Sequence, residues 1–275
     1  DMRVSSRRLR GALNDFSPYL RKRVVSNSLK EIKSLADALG AVRDQDVAII
    51  GLQRLTGKAA EQASATLKHF IRVRNPIRKK ARRDLRRSLN RRALERMQNK
   101  FVAALESPIK KAASRSTRKK PDVSYLEVSR SMVRRRLKEL EALSDCFYHP
   151  LKIKPLHKMR IAAKHLRYAL ELSEQCLGPA TTMFAKKVAN LQTSLGELHD
   201  ADLWIETFGE QLEIAEREAS KDRIAGSLWL LNHFVRLHSK HLRDALAQWE
   251  DWETNDFSNK LRELLNPEPS DESSS

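Results

Sequence analysis

The chain has 275 residues, 40% hydrophobic and 32% charged, with a formal net charge of +18. That suffices for one large domain or two small ones beneath a very charged surface. No apolar run reaches the roughly 18 residues of a membrane-spanning helix. Cys146 and Cys176, with no CxxC pair, exclude a disulfide-built scaffold and point to a reducing compartment.

Only 8 glycines are present, and apolar residues recur at three and four rather than at two, which predicts an all-α fold. The first helix ends near Pro18. The second covers about 19–39 and should stop at Gly40. A third follows over about 43–55 and a fourth over about 58–74, broken at Asn75-Pro76. The fifth, about 77–106, is heavily basic. Residues 107–122 lack apolar periodicity and read as a linker. Helices are then expected at about 123–144, 155–177, 180–195, 197–219, 221–250 and 256–265. The last nine residues, 267–275, are polar and expected to be disordered. The domain reading is therefore a first helical repeat at 1–106 and a second at 123–266. The chain starts inside a helix pattern, and helix 123–144 has no earlier counterpart. Both features suggest that the natural chain extends upstream.

The positive charge is local. Residues 1–122 hold 32 Lys+Arg against 11 Asp+Glu, or +21, while residues 123–275 hold 21 against 24, or −3. Such a patch calls for a polyanion, an acidic membrane surface or an acidic protein.

Two stretches answer each other. DMRVSSRRLRGAL opens the chain, and PLHKMRIAAKHLRYAL begins at Pro155. At an offset of 157, Arg3 pairs with Arg160, Arg7 with Lys164, Arg8 with His165, and Arg10 with Arg167. On a helix of about 100° per residue, Arg3, Arg7 and Arg10 share one stripe, as do Arg160, Lys164 and Arg167, with His157 one turn earlier. Leu9, Ala12, Leu13 and Phe16, and in the twin Leu166, Ala169 and Leu170, mark the opposite, apolar edges. Like charges so spaced repel by a few tenths of a kcal/mol per pair, which a bound anion would offset. The duplication continues. Lys30 matches Lys186, and LGAVRDQD at Leu39 matches LGELHDAD at Leu195. LKHFIR at Leu67 resembles LNHFVR at Leu231, pairing Arg72 with Arg236. Two bundles of one plan are expected to pack about a pseudo-twofold axis, with both cationic stripes lining one basic cleft.

The pattern H-x-x-R-x-x-x-[RK]-[RH]-x-R, then a Lys, then L-G-x-x-[RH]-D-x-D, written twice, resembles the CHAD domain (conserved histidine α-helical domain). The resemblance covers residues 1 to about 252. It implies two pseudo-twofold-related four-helix bundles around a basic central cavity that binds inorganic polyphosphate, without catalysis or cofactor. The ligand contacts it implies are Arg3, Arg7, Arg8, Arg10 and Lys30, then His157, Arg160, Lys164, His165, Arg167 and Lys186. Arg72 and Arg236 are carried over on looser spacing. The first-half histidine is absent, and no triphosphate-tunnel domain accompanies the motifs. A polyphosphate binder of this kind would act as a targeting or accessory module, in the cytoplasm and with polyphosphate granules.

Other readings compete. The tract 68–100 holds 14 Lys+Arg and two acids, which suits a nucleic-acid backbone, although its only aromatic is Phe70. His199-Asp200 followed by Asp202 resembles the HD doublet of metal phosphohydrolases, but Arg43 fills the place of His199 in the first copy and cannot ligate a metal. One Asp of each DxD pair (Asp44/Asp46, Asp200/Asp202) should instead cap a helix, and the other orient a stripe arginine. The tryptophans, at 204, 229, 249 and 252, read as core or interface. Histidines among phosphates should be protonated and tighten binding below about pH 6.5.

Overall fold

A computed structural model describes residues 2–19, 22–57, 59, 61–115 and 124–266. Every regular element among them is helical. In chain order these are α1 (Met2–Asp15), α2 (Lys22–Thr56), α3 (Glu61–Ser88), α4 (Arg91–Arg115), α5 (Tyr125–Glu141), α6 (Ile153–Leu177), α7 (Ala180–Arg217), α8 (Lys221–Thr254) and α9 (Phe257–Leu265). Short 3-10 turns follow α1 and α5. No helix among the described residues is long and apolar enough to cross a membrane.

The chain divides into two compact units. The first is Asp1–Lys120 with Phe208–Leu230; the second is Pro121–Thr207 with Leu231–Ser275. The first boundary lies in the stretch expected as a linker, but α4 runs to Arg115, nine residues past where the pattern ended it. The expected tail, 267–275, lies outside the described residues.

In the second unit one core runs through five helices. α5 starts on a capping box: Ser124 Oγ accepts from the Glu127 amide at 3.2 Å, and the Ser124 amide donates to Glu127 Oε2 at 2.7 Å. It buries Val128, Met132, Val133, Leu137 and Leu140. α6 presents Leu156, Met159, Ala163, Leu166 and Leu170, all fully or almost fully buried, at helical spacing. Each large aliphatic so buried contributes about 1.5–3 kcal/mol. α6 ends at Gly178, whose φ of 86° suits glycine. Trp252 stacks on Phe257 at 4.1 Å, and Trp249 packs on Phe147 at 5.8 Å, so these two tryptophans are core. Cys146 is buried here as a free thiol, pushed up to about 11 by burial and then by Asp145, which leaves it unreactive.

In the first unit the packing centres on α2 and α3. α2 lies along α3, with Ile32, Leu35, Ala36, Ile49, Leu52, Ala63 and Leu67 buried. α1 contributes Leu13, 5% exposed, but Leu9, assigned by the pattern to the apolar edge, is 37% exposed. Ser6 is buried instead, its hydroxyl donating to Arg3 O at 3.0 Å.

Three expected helix breaks are absent. α2 continues through Gly40, α7 through Gly196 and α3 through Pro76. A helical glycine costs only about 1 kcal/mol, well below what the flanking buried turns return. Proline costs about 3 kcal/mol. Around Pro76, α3 is held to α2 by side-chain bonds on both sides. Arg74 Nη1 donates to Gln45 Oε1 at 3.3 Å, and Arg82 Nη2 donates to Asp46 Oδ1 at 2.9 Å.

Candidate anion-binding site

Each unit carries its own cationic stripe. On α6, burial of Leu156, Met159, Ala163 and Leu166 fixes the helix's rotation, leaving His157, Arg160, Lys164, His165 and Arg167 half-buried along the other side. Arg160 and Lys164 lie near enough to His157 to disfavour its charged form. Arg167 is engaged along its own helix: its Nε is 3.6 Å from Glu171 Oε1, and its guanidinium lies over the Tyr168 ring at 4.9 Å. Lys186 is exposed on α7 and lines a cavity of about 300 Å³ beside Glu171 and Glu174. Arg236, on α8, is exposed.

In the first unit, Arg3, Arg7 and Arg10 are half-buried on α1, and Arg8 is exposed. Arg7 and Arg10 have no ion-pair partner among the described residues. Lys30 and Arg72 are exposed, and Arg72 Nη2 approaches His69 Nδ1 at 3.3 Å. Arg74 of α3, absent from the sequence reading, is half-buried, and burial lowers its pKa from the ordinary guanidinium value.

Sequence reasoning weighed His199 only as part of a metal doublet and left it out of the anion site. Its ring centroid is 4.4 Å from that of His157, with 51° between the planes. Nδ1 of each ring is buried and makes no hydrogen bond among the described residues. Burial, then Arg160, then Lys164 hold the pKa of His157 below its usual range. Burial, then Arg160 and His157, lower that of His199, opposed by Asp202. The signal was available: His199 occupies the motif position that Arg43 fills in the first copy, so both copies place a basic side chain there.

The DxD pairs do not cap helices. With α2 and α7 unbroken, they sit mid-helix, and the second aspartate of each pair reaches the next helix along the chain. Asp46 reaches Arg82 at 2.9 Å and Arg78 at 3.7 Å, both on α3 rather than on the α1 stripe. Asp202 is buried, its Oδ1 3.3 Å from Nε2 of His238 on α8. His199 packs on His157, so His199 and Asp202 each meet a histidine of another helix. No group of three or more His, Cys, Asp or Glu suited to a metal occurs among the described residues.

Half-buried guanidinium, ammonium and imidazole groups on one helix face can receive several oxyanions. Guanidinium forks bind phosphoryl oxygens by bidentate, charge-assisted bonds, and no glycine-rich loop is required. No curated protein matches the chain. The CHAD domain pattern matches residues 1–209, a span that contains α1, α6 and both L-G-x-x-[RH]-D-x-D motifs, and the chain therefore belongs to the CHAD domain family.

Proposed function

We propose that the protein binds inorganic polyphosphate through the cationic faces of α1 and α6, as a binding and targeting module rather than an enzyme. One observation carries the reading: on α6 the buried apolar edge leaves His157, Arg160 and Lys164 as electrostatic neighbours on the opposite side, half-buried rather than fully solvated. Family membership supports it, because polyphosphate is the ligand the family resemblance implies. A phosphate chain has no bases to read, so rows of cations at one per turn are adequate recognition. In this reading α1 and α6 are duplicated elements that do the same work, and the DxD aspartates hold the helices in place.

A second reading rests on the exposed cations of α3 and α4, including Arg83, Arg86, Arg87, Arg91 and Arg92. These would serve a nucleic-acid backbone. Titration with long-chain polyphosphate, single-stranded RNA and duplex DNA separates the two at near-physiological salt, where nonspecific DNA binding is about 10⁻⁴–10⁻⁶ M. Polyphosphate is expected to bind far more tightly than either nucleic acid. Equal or tighter binding of RNA or DNA overturns the proposal.

A further inference from the structure

Four titratable side chains from three helices of the second unit form one connected cluster. His157 of α6 stacks obliquely on His199 of α7 at 4.4 Å. Asp202, one turn beyond His199, is buried against His238 of α8 at 3.3 Å. The charged groups acting on the ring pair are thus Arg160 and Lys164 from α6 and Asp202 from α7, the last shared with His238 from α8. Both Nδ1 atoms are buried and make no hydrogen bond among the described residues.

Two imidazoles this close, beside a guanidinium and an ammonium, resist charging while the site is empty. Phosphoryl oxygens drawn to Arg160 and Lys164 would reverse the local field and favour the protonated ring. We infer that the His157–His199 pair takes up a proton together with the polyanion, so that binding at α6 is coupled to pH, and that Asp202, one turn along α7 and held against His238, supplies the negative charge that favours the protonated His199 ring. The coupling rests on the polyphosphate reading above. The proton comes from solvent and returns to it on release.

The direction follows from the two states. In the free protein both rings titrate below the ordinary value near 6.5, pushed there by burial and by their cationic neighbours. In the complex the phosphates raise them. Between the free and bound values affinity climbs as pH falls, by up to about tenfold per pH unit for each proton taken up.

The test is calorimetric. Long-chain inorganic polyphosphate is titrated into the full chain at about pH 6, in two buffers of different ionisation enthalpy, and the difference in heat counts the protons absorbed. Long chains are used because titrating end groups are then few. About one proton per site is expected for the wild type, and close to none for His157→Gln/His199→Gln. Asp202→Asn removes the carboxylate that favours charged His199, and is expected to move the affinity profile to lower pH while binding persists. Ring-proton NMR of the unaltered chain supplies a check independent of variant folding: the two histidine midpoints should rise when polyphosphate is added. Tight binding without proton uptake overturns the inference, as does uptake unchanged in the double variant. Failure to bind at any pH from about 5.5 to 8 removes the polyphosphate reading itself.

Discussion

The helices α1 and α6 carry the same charge pattern on different foundations. The α6 stripe stands on a face that is almost wholly buried, in a core that continues through Trp249, Trp252 and Phe257. The α1 stripe stands on Leu13 and a buried serine, with a small cluster of Leu13 and Ile32 flanked by Leu29 and Phe101. Their chemistry differs as well. The α1 stripe is built of Arg3, Arg7 and Arg10, whereas α6 mixes Arg160, Lys164 and Arg167 with His157 and His165 and meets the imidazole of His199 from α7. The two stripes therefore differ in the buried surface behind them and in whether imidazoles take part.

The largest expected effect bears on the foundations. Leu166→Ala, fully buried on α6, should cost about 2–5 kcal/mol in denaturant unfolding. Leu9→Ala, partly exposed on α1, should stay within about 0.5 kcal/mol. Similar losses for both would erase the contrast.

The next effect concerns the cations. Each charge-assisted contact is worth about 1.5–3 kcal/mol, so Arg160→Ala should weaken polyphosphate binding by roughly 10- to 100-fold, as should Arg7→Ala on the other stripe. Combining the two in a double-mutant cycle sharpens the comparison. Non-additive losses indicate that one phosphate chain engages both helices, while additive losses indicate independent engagement.

A smaller effect separates the stripes by pH. The lowered pKa values of His157 and His199 mean that the unfolded chain binds more protons than the native one below about pH 6.5. The stability they contribute is complete above that value and is lost as pH falls through their native values. Unfolding of the ligand-free protein between pH 8 and 5 should show this loss, and His157→Gln/His199→Gln should reduce it; a variant as acid-sensitive as the wild type would contradict it. The smallest expected change is a gain. Gly40 is mid-helix with no atom near the place a Cβ would take, so Gly40→Ala should stabilise by about 0.5–1 kcal/mol in the same assay.

Helical class and most helix positions were legible because apolar spacing is a local property. α5, α6, α8 and α9 begin and end within a few residues of where the pattern puts them. The errors fell where tertiary contacts outweigh local propensity. Gly40, Gly196 and Pro76 are breakers by rule, but packing on both sides and the Gln45–Arg74 and Asp46–Arg82 bonds hold the helices through the two sites in α2 and α3. The α6 stripe was readable from charge spacing alone. His199 was marked by the repeated motif, but its contact with His157 was not, because that contact joins two helices and no single-helix pattern contains it. The partners of Asp46 and Asp202 were invisible for the same reason: the motif fixes the acid, and the next helix supplies the base.

The central claim is tested most directly by polyphosphate affinity in two sets of charge removals, Arg160→Ala/Lys164→Ala on α6 and Arg83→Ala/Arg86→Ala/Arg87→Ala on α3, compared at constant salt and pH. The stripe reading predicts a loss of at least about 100-fold for the α6 pair and less than about tenfold for the α3 triple, whose side chains are exposed. A greater loss from the α3 triple than from the α6 pair would contradict it.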